Sequence, residues 1–216
     1  MSFMGSDRPE VLIRGRARAR PRRAPLPPAV RAILWLDGVL LVAAALALFG
    51  MPPALARGAS AWTWLALAGS TLTAASAALA AFELSERGRS RAWRWLPVPA
   101  LVLWIGASGA GCFGATDAWG ATVAEVAQCF KFLLAISAPL LALMVYMLWR
   151  VAPRLPMPVL AFGGLASVGA AASLLSLVHP HAPSLLDLGA HAIAVVIVIG
   201  ASAAVARLRT DPIFPT

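Results

Sequence analysis

Residues 129–149 read CFKFLLAISAPLLALMVYMLW, with Lys131, near the start, as the only charge. Crossing about 30 Å of hydrocarbon takes roughly 20 helical residues, and an apolar run of this length reads as a membrane span. The same reading extends outward in both directions. Five further runs of similar length and character cover residues 30–49, 61–82, 95–113, 157–177 and 185–206. Pro52 and Pro53, the charged run 83–94, Thr116 and Asp117, the prolines from Pro153 to Pro158 and those from Pro180 to Pro183 separate them, as helix-breaking residues should. The expected fold is therefore all-α and membrane-integral: a bundle of six transmembrane helices (residues 30–206), an N-terminal tail (residues 1–29) and a short C-terminal tail (residues 207–216).

Composition agrees. The chain is 60% hydrophobic and 12% charged, with a mean hydropathy of +0.80, whereas soluble domains carry roughly 25% charged residues. Ala and Gly dominate, as they do where membrane helices pack by close backbone approach. Small residues recur at four-residue spacing in Gly69/Thr73/Ala77, Gly106/Ala110, Ala166/Ala170 and Gly200/Ala204, and each set is expected to face a neighbouring helix.

The net charge of +9 comes from 17 arginines and one lysine. On a soluble surface such a charge would suggest nucleic acid. Here the arginines fall in short segments between apolar runs, which is a topology signal. Arg8, Arg14, Arg16, Arg18, Arg20, Arg22, Arg23 and Arg31 precede or open the first run; Arg87, Arg89, Arg91 and Arg94 follow the second; Arg150 and Arg154 follow the fourth; Arg207 and Arg209 end the chain. With six crossings these segments share one side, and only Arg57 lies opposite. The positive-inside rule makes that side cytoplasmic, so both termini of a multi-pass membrane protein are expected there; the resemblance given below places it in a bacterial inner membrane. No direct nucleic-acid binding is expected. Ala54-Leu55-Ala56 resembles a signal-peptidase site, but the lead and the first apolar run are too long for a signal peptide, and the run reads as a retained helix. Trp35, Trp62, Trp64, Trp93, Trp95, Trp119 and Trp149 sit near predicted helix ends, as interfacial anchors do.

Few residues offer chemistry. Asp37 lies about two turns inside the first run, where a carboxylate costs ~2.5–3.5 kcal/mol on insertion scales; it is expected to tuck into the bundle near Arg31 or a loop arginine. Lys131 is expected to snorkel to the interface. His179, His181, Asp187 and His191 gather at the expected periplasmic end of the last two helices. Their spacing matches no recognised zinc motif, and Asp187 and His191, four apart, suit a hydrogen bond on one helix face. Cys112 and Cys129 fall at the same end, in a compartment where disulfides persist, and equally suit small apolar filling. The sequence contains no HExxH, GxSxG or phosphate-loop motif, so neither an enzyme nor a small-molecule substrate is expected, and no cofactor or metal is called for. The tail cannot bury a core of its own. Val11, Leu12 and Ile13 with Arg14, Arg16, Arg18 and Arg20 form its candidate partner-binding segment, and the arginines also suit anionic lipid.

The junction Arg22-Arg23-Ala24-Pro25-Leu26-Pro27-Pro28-Ala29-Val30-Arg31-Ala32, the stretch from Arg94-Trp95-Leu96-Pro97 to Trp104, and Cys129-Phe130 opening the fourth run together resemble the NrsF-like family of six-helix bacterial membrane anti-sigma factors. The resemblance implies a tail that sequesters an extracytoplasmic-function sigma factor and a periplasmic or membrane event that releases it. It also implies sensing by paired periplasmic cysteines. Cys129 stands at one such position, while Pro180 stands where the family usually has the second. The alternative is a small transporter or channel built around the intramembrane carboxylate Asp37.

Overall fold

The computed structural model describes residues 26–49, 60–113, 122–151, 155–178 and 184–208. These form six long helices: α1 (Pro28–Leu48), α2 (Ala61–Leu84), α3 (Val98–Phe113), α4 (Val123–Trp149), α5 (Met157–Val178) and α6 (Leu185–Leu208), with a 3-10 turn, Arg91–Trp95, leading into α3. Among the described residues there is no strand. Six helical stretches, with the 3-10 turn joined to α3, are long and apolar enough to cross a membrane. Residues 1–25, which hold the candidate tail segment, lie outside the described residues, as do 179–183 with His179 and His181.

Local chemistry explains where the helices begin. Pro28 opens α1 at a position where a missing N–H costs nothing. Ser60 caps α2 by accepting from the Thr63 N–H at 3.2 Å. Helix α4 starts six residues ahead of the expected 129 because Thr122 and Glu125 form a capping box: the Glu125 N–H donates to Thr122 Oγ1 at 3.3 Å and the Thr122 N–H to Glu125 Oε2 at 2.8 Å. Two of the otherwise orphaned N–H groups are thereby satisfied. Pro97 and Pro99 flank the first residue of α3, and the chain enters the helix through the 3-10 turn instead of directly at 95.

Helix α5 is the axis of the bundle. Some 83% of its membrane-length window is buried, against 17–50% for the other helices, and it packs on α2, α4 and α6, while α3 packs on α2. Its sequence permits this because the stretch from Gly163 to Ser173 holds only Gly, Ala, Ser, Leu165 and Val168, all of them buried. A Cβ on Gly164 would stand 2.6 Å from Ser202 Oγ and 3.2 Å from the Val198 carbonyl oxygen, and one on Gly169 would stand 3.2 Å from the Ser70 carbonyl oxygen. Helix α2 meets α3 as closely: a Cβ on Gly69 would lie 2.6 Å from the Trp104 backbone nitrogen. Hydroxyls bridge α2 to α5, Ser70 Oγ lying 2.9 Å from Ser173 Oγ, with Thr71 Oγ1 donating to Ser173 Oγ at 3.1 Å. Of the small-residue sets, Gly69/Thr73/Ala77 and Ala166/Ala170 are packed inside. Gly106 and Gly200 have no neighbour that a Cβ would meet within 4 Å.

Helix α1 is peripheral, and two expectations fail on it. Trp35 is not an interfacial anchor: it is fully buried and its indole N–H donates to the Leu140 carbonyl of α4 at 3.1 Å, because a large ring with one donor holds a loosely packed helix to its neighbour better than it serves at the surface. Asp37 does not tuck into the bundle; it is exposed on the outer face of α1, near Leu34, Leu40 and Leu41. Arg31, the partner expected for it, has turned instead towards α2. Trp62, Trp64 and Trp95 are exposed near helix starts, as anchors should be.

The packing contrast is testable. Gly69→Ala should destabilise the bundle by about 1–3 kcal/mol through overpacking against the α3 backbone, and Gly69→Leu should prevent its assembly. Gly200→Ala, in open space, should be neutral or gain about 0.5–1 kcal/mol from helix propensity. Thermal unfolding of the detergent-solubilised protein, followed by gel filtration, measures both.

Candidate functional site

Apart from Asp37, the charged side chains of the described residues lie near the two ends of the bundle. At the first, where α1 begins and α2 ends, Arg31 is 3% exposed. Its Nε donates to the Leu26 carbonyl at 2.9 Å, its Nη2 pairs with Glu86 Oε1 and its Nη1 reaches Ser85 Oγ at 3.4 Å. The guanidinium also lies 5.3 Å from the Phe82 ring centroid, close enough for cation–π attraction. Arg89 completes the group, its Nε 3.1 Å from Glu83 Oε2 and 3.5 Å from Glu86 Oε2. The chain turns here through Gly88, at φ +85°, a conformation glycine adopts without strain. Arg31 therefore fixes the root of the N-terminal tail, through Leu26, to the last turn of α2 and the segment after it. None of Arg31, Glu83 and Glu86 was a candidate on sequence. The available signal was a cation in the first turn of an apolar run together with two carboxylates at the edge of a basic loop.

At the opposite end the two cysteines converge on the start of α6. Ser184 caps that helix, accepting from the Asp187 N–H at 3.1 Å. The Cys112 thiol, on the last turn of α3, donates to the Ser184 carbonyl at 3.4 Å. The Cys129 thiol, on α4, faces the Asp187 carboxylate closely enough to interact with its charge. Both cysteines are free and buried, at 2% and 5% exposure. His191 lies one turn beyond Asp187, its Nδ1 2.8 Å from the Asp187 main-chain carbonyl and 3.5 Å from Oδ2. Geometry thus favours donation from Nδ1–H to the helix carbonyl, with the proton assigned from the contact. Asp187 Oδ1 is buried without a hydrogen-bond partner. Of the candidates read from the sequence, Cys112, Cys129, Asp187 and His191 meet around one helix turn; His179 and His181 fall outside the described residues. Among the described residues no group of three or more His, Cys, Asp or Glu side chains is arranged to hold a metal. Lys131 is exposed on α4, two residues beyond Cys129.

The described residues thus form a six-helix bundle packed around one helix, with an ion-paired group at one end and two buried thiols beside a carboxylate at the other. The family model described as NrsF, negative regulator of sigma F, matches residues 16–209, and the chain belongs to that family. The resemblance carried by the tail junction, the α3 stretch and Cys129 thus extends over part of the tail and all six helices. The family is one of regulators acting on a sigma factor. No curated protein and no solved structure matches the chain.

Three substitutions probe the ends. Glu86→Gln leaves the Arg31 guanidinium buried beside a neutral partner and should cost about 3 kcal/mol, the lower range for breaking a buried pair, whereas Arg31→Met should cost less because it removes the buried charge as well. Ser184→Ala should loosen the first turn of α6 by about 1 kcal/mol and raise the rate at which Cys112 reacts with a maleimide. Mass spectrometry of quenched labelling reactions reports the latter.

Proposed function

We propose that this chain is a membrane-bound anti-sigma factor. The tail, residues 1–29, holds an extracytoplasmic-function sigma factor at the bacterial inner membrane, both termini lie in the cytoplasm, and a periplasmic or membrane signal releases the partner. The observation that carries this reading is the family match from residue 16 to residue 209. The outward-facing Ile33, Leu40, Leu41, Val102, Val196 and Ile197 support the membrane location, since each is more than two-fifths exposed and contiguous apolar surface of this kind calls for a cover. The arginine segments support the orientation.

The two ends suit the two halves of such a device. Arg31 ties the root of the sigma-binding tail to α2, and Cys112 and Cys129 meet at the first turn of α6, on the side where a periplasmic signal enters. The transport reading loses its main support with Asp37, whose carboxylate stands on the outer surface of α1 instead of lining a path between helices.

Co-purification tests the reading. Full-length chain should capture the sigma factor encoded beside it, and deletion of residues 1–28 should lower capture at least tenfold; equal capture without the tail would exclude the tail as the binding element. For the signal, oxidant treatment should release the partner from the wild-type protein and not from Cys129→Ser. Release from Cys129→Ser at the wild-type level would remove that thiol from the switch.

A further inference from the structure

Next to the thiol group, a cavity of about 560 Å³ opens between α2, α3, α5 and α6. It is large for a bundle in which neighbouring helices otherwise touch backbone to backbone, since packed interiors leave few voids bigger than a water. Its volume lies in the range of small-molecule sites. The walls are Trp62 of α2, Trp104 and Ile105 of α3, Leu175 of α5 and Val195 of α6. Cys112, Asp187 and His191 also line it, and they lie toward its thiol end. Asp187 and Val196, nine positions apart on α6, both line it, so the space runs ~13 Å along that helix at 1.5 Å per residue.

The polar end selects the guest. The Asp187 side chain is 30% exposed and its Oδ1 makes no hydrogen bond, so the carboxylate has an unfilled acceptor to turn towards a donor that enters the space. Its neighbour His191 is already engaged with a main-chain carbonyl, and among the described residues no Arg or Lys lines the space. A carboxylate or phosphate head would meet the Asp187 charge without a compensating cation. An alcohol would satisfy the oxygen but not the charge, whereas a protonated amine does both.

We propose that this cavity is a binding site for a small amphipath with an apolar body and a protonated amine head, the body lying against Trp104, Ile105 and Val195 and the head on Asp187. The site does not depend on the anti-sigma reading. An occupant would touch Cys112 directly and reach Cys129 through the Asp187 carboxylate, with which that thiol interacts.

Photolabelling of the full-length protein in phosphatidylcholine nanodiscs tests the proposal. A diazirine-bearing dodecylamine should label peptides of α3 and α6 that line the cavity, and unlabelled dodecylamine should compete while laurate and dodecanol compete at least tenfold less well. Asp187→Asn and the space-filling Ala192→Trp should each reduce labelling at least tenfold, with Asp187→Glu retaining it; gel filtration and thermal unfolding identify any variant that fails to fold. Equal competition by laurate would reduce the cavity to an acyl-chain crevice and overturn the proposal. So would labelling that is insensitive to both folded variants, or labelling confined to the lipid-facing surface.

Discussion

Close approach of helix backbones around α5 is the constraint on which the rest of the structure depends. Hydrocarbon provides no hydrophobic drive for one apolar helix to seek another, so contact must come from dispersion between well-fitted surfaces and from bonds across them. Gly164 against α6, Gly169 against the Ser70 carbonyl and Gly69 against the Trp104 backbone supply the fit; the Ser70–Ser173 bridge supplies the bond. With α5 held on three sides, α2, α4 and α6 have fixed places, and α3 follows through α2. Helix α1 has no such backbone-to-backbone contact; Gly38 lies close to the Leu143 side chain, and two long side chains tie the helix in, Trp35 on the Leu140 carbonyl and Arg31 on Glu86.

That division has a consequence for function. Helix α2 contributes Trp62 and Thr63 to the cavity wall at its start and Phe82 and Glu83 to the Arg31 group at its end. One continuous element therefore touches the thiol end and the root of the tail. The group at the tail root is polar and partly open, with Arg89 44% exposed, while the middle of α5 is buried and closely packed. Polar contacts of this sort at the bundle's edge rearrange at lower cost than backbone contacts in its middle, where any shift must move whole helices. The Arg31 group is thus the softer joint.

Legibility in the sequence followed the kind of signal. The six apolar runs were readable because length and hydropathy are properties of a segment alone, and their observed ends differ mainly where a cap or a proline intervenes, as at Thr122 and Pro97. The Thr122-to-Glu125 capping box was itself present in the sequence as a local pattern. Small-residue spacing located packed faces at Gly69 and Ala166 but marked Gly106 and Gly200 equally, since the pattern states that a helix can be approached and not that another helix approaches it. Trp35 and Asp37 show the same gap: hydropathy and depth set which residue types are costly or comfortable, but the rotation of α1 about its axis put the indole inside and the carboxylate outside.

By itself, then, the sequence determined the number, length and all-helical character of the segments, the clustering of arginines at one set of ends, and the family to which their order belongs, because each is written in neighbouring residues. Tertiary structure alone decided that Arg31 meets Glu86 across 55 positions, that Cys112 and Cys129 both reach the first turn of α6, and that space remains beside Asp187. These depend on which faces of separate helices meet, and that is settled by the joint packing of side chains distant in the chain.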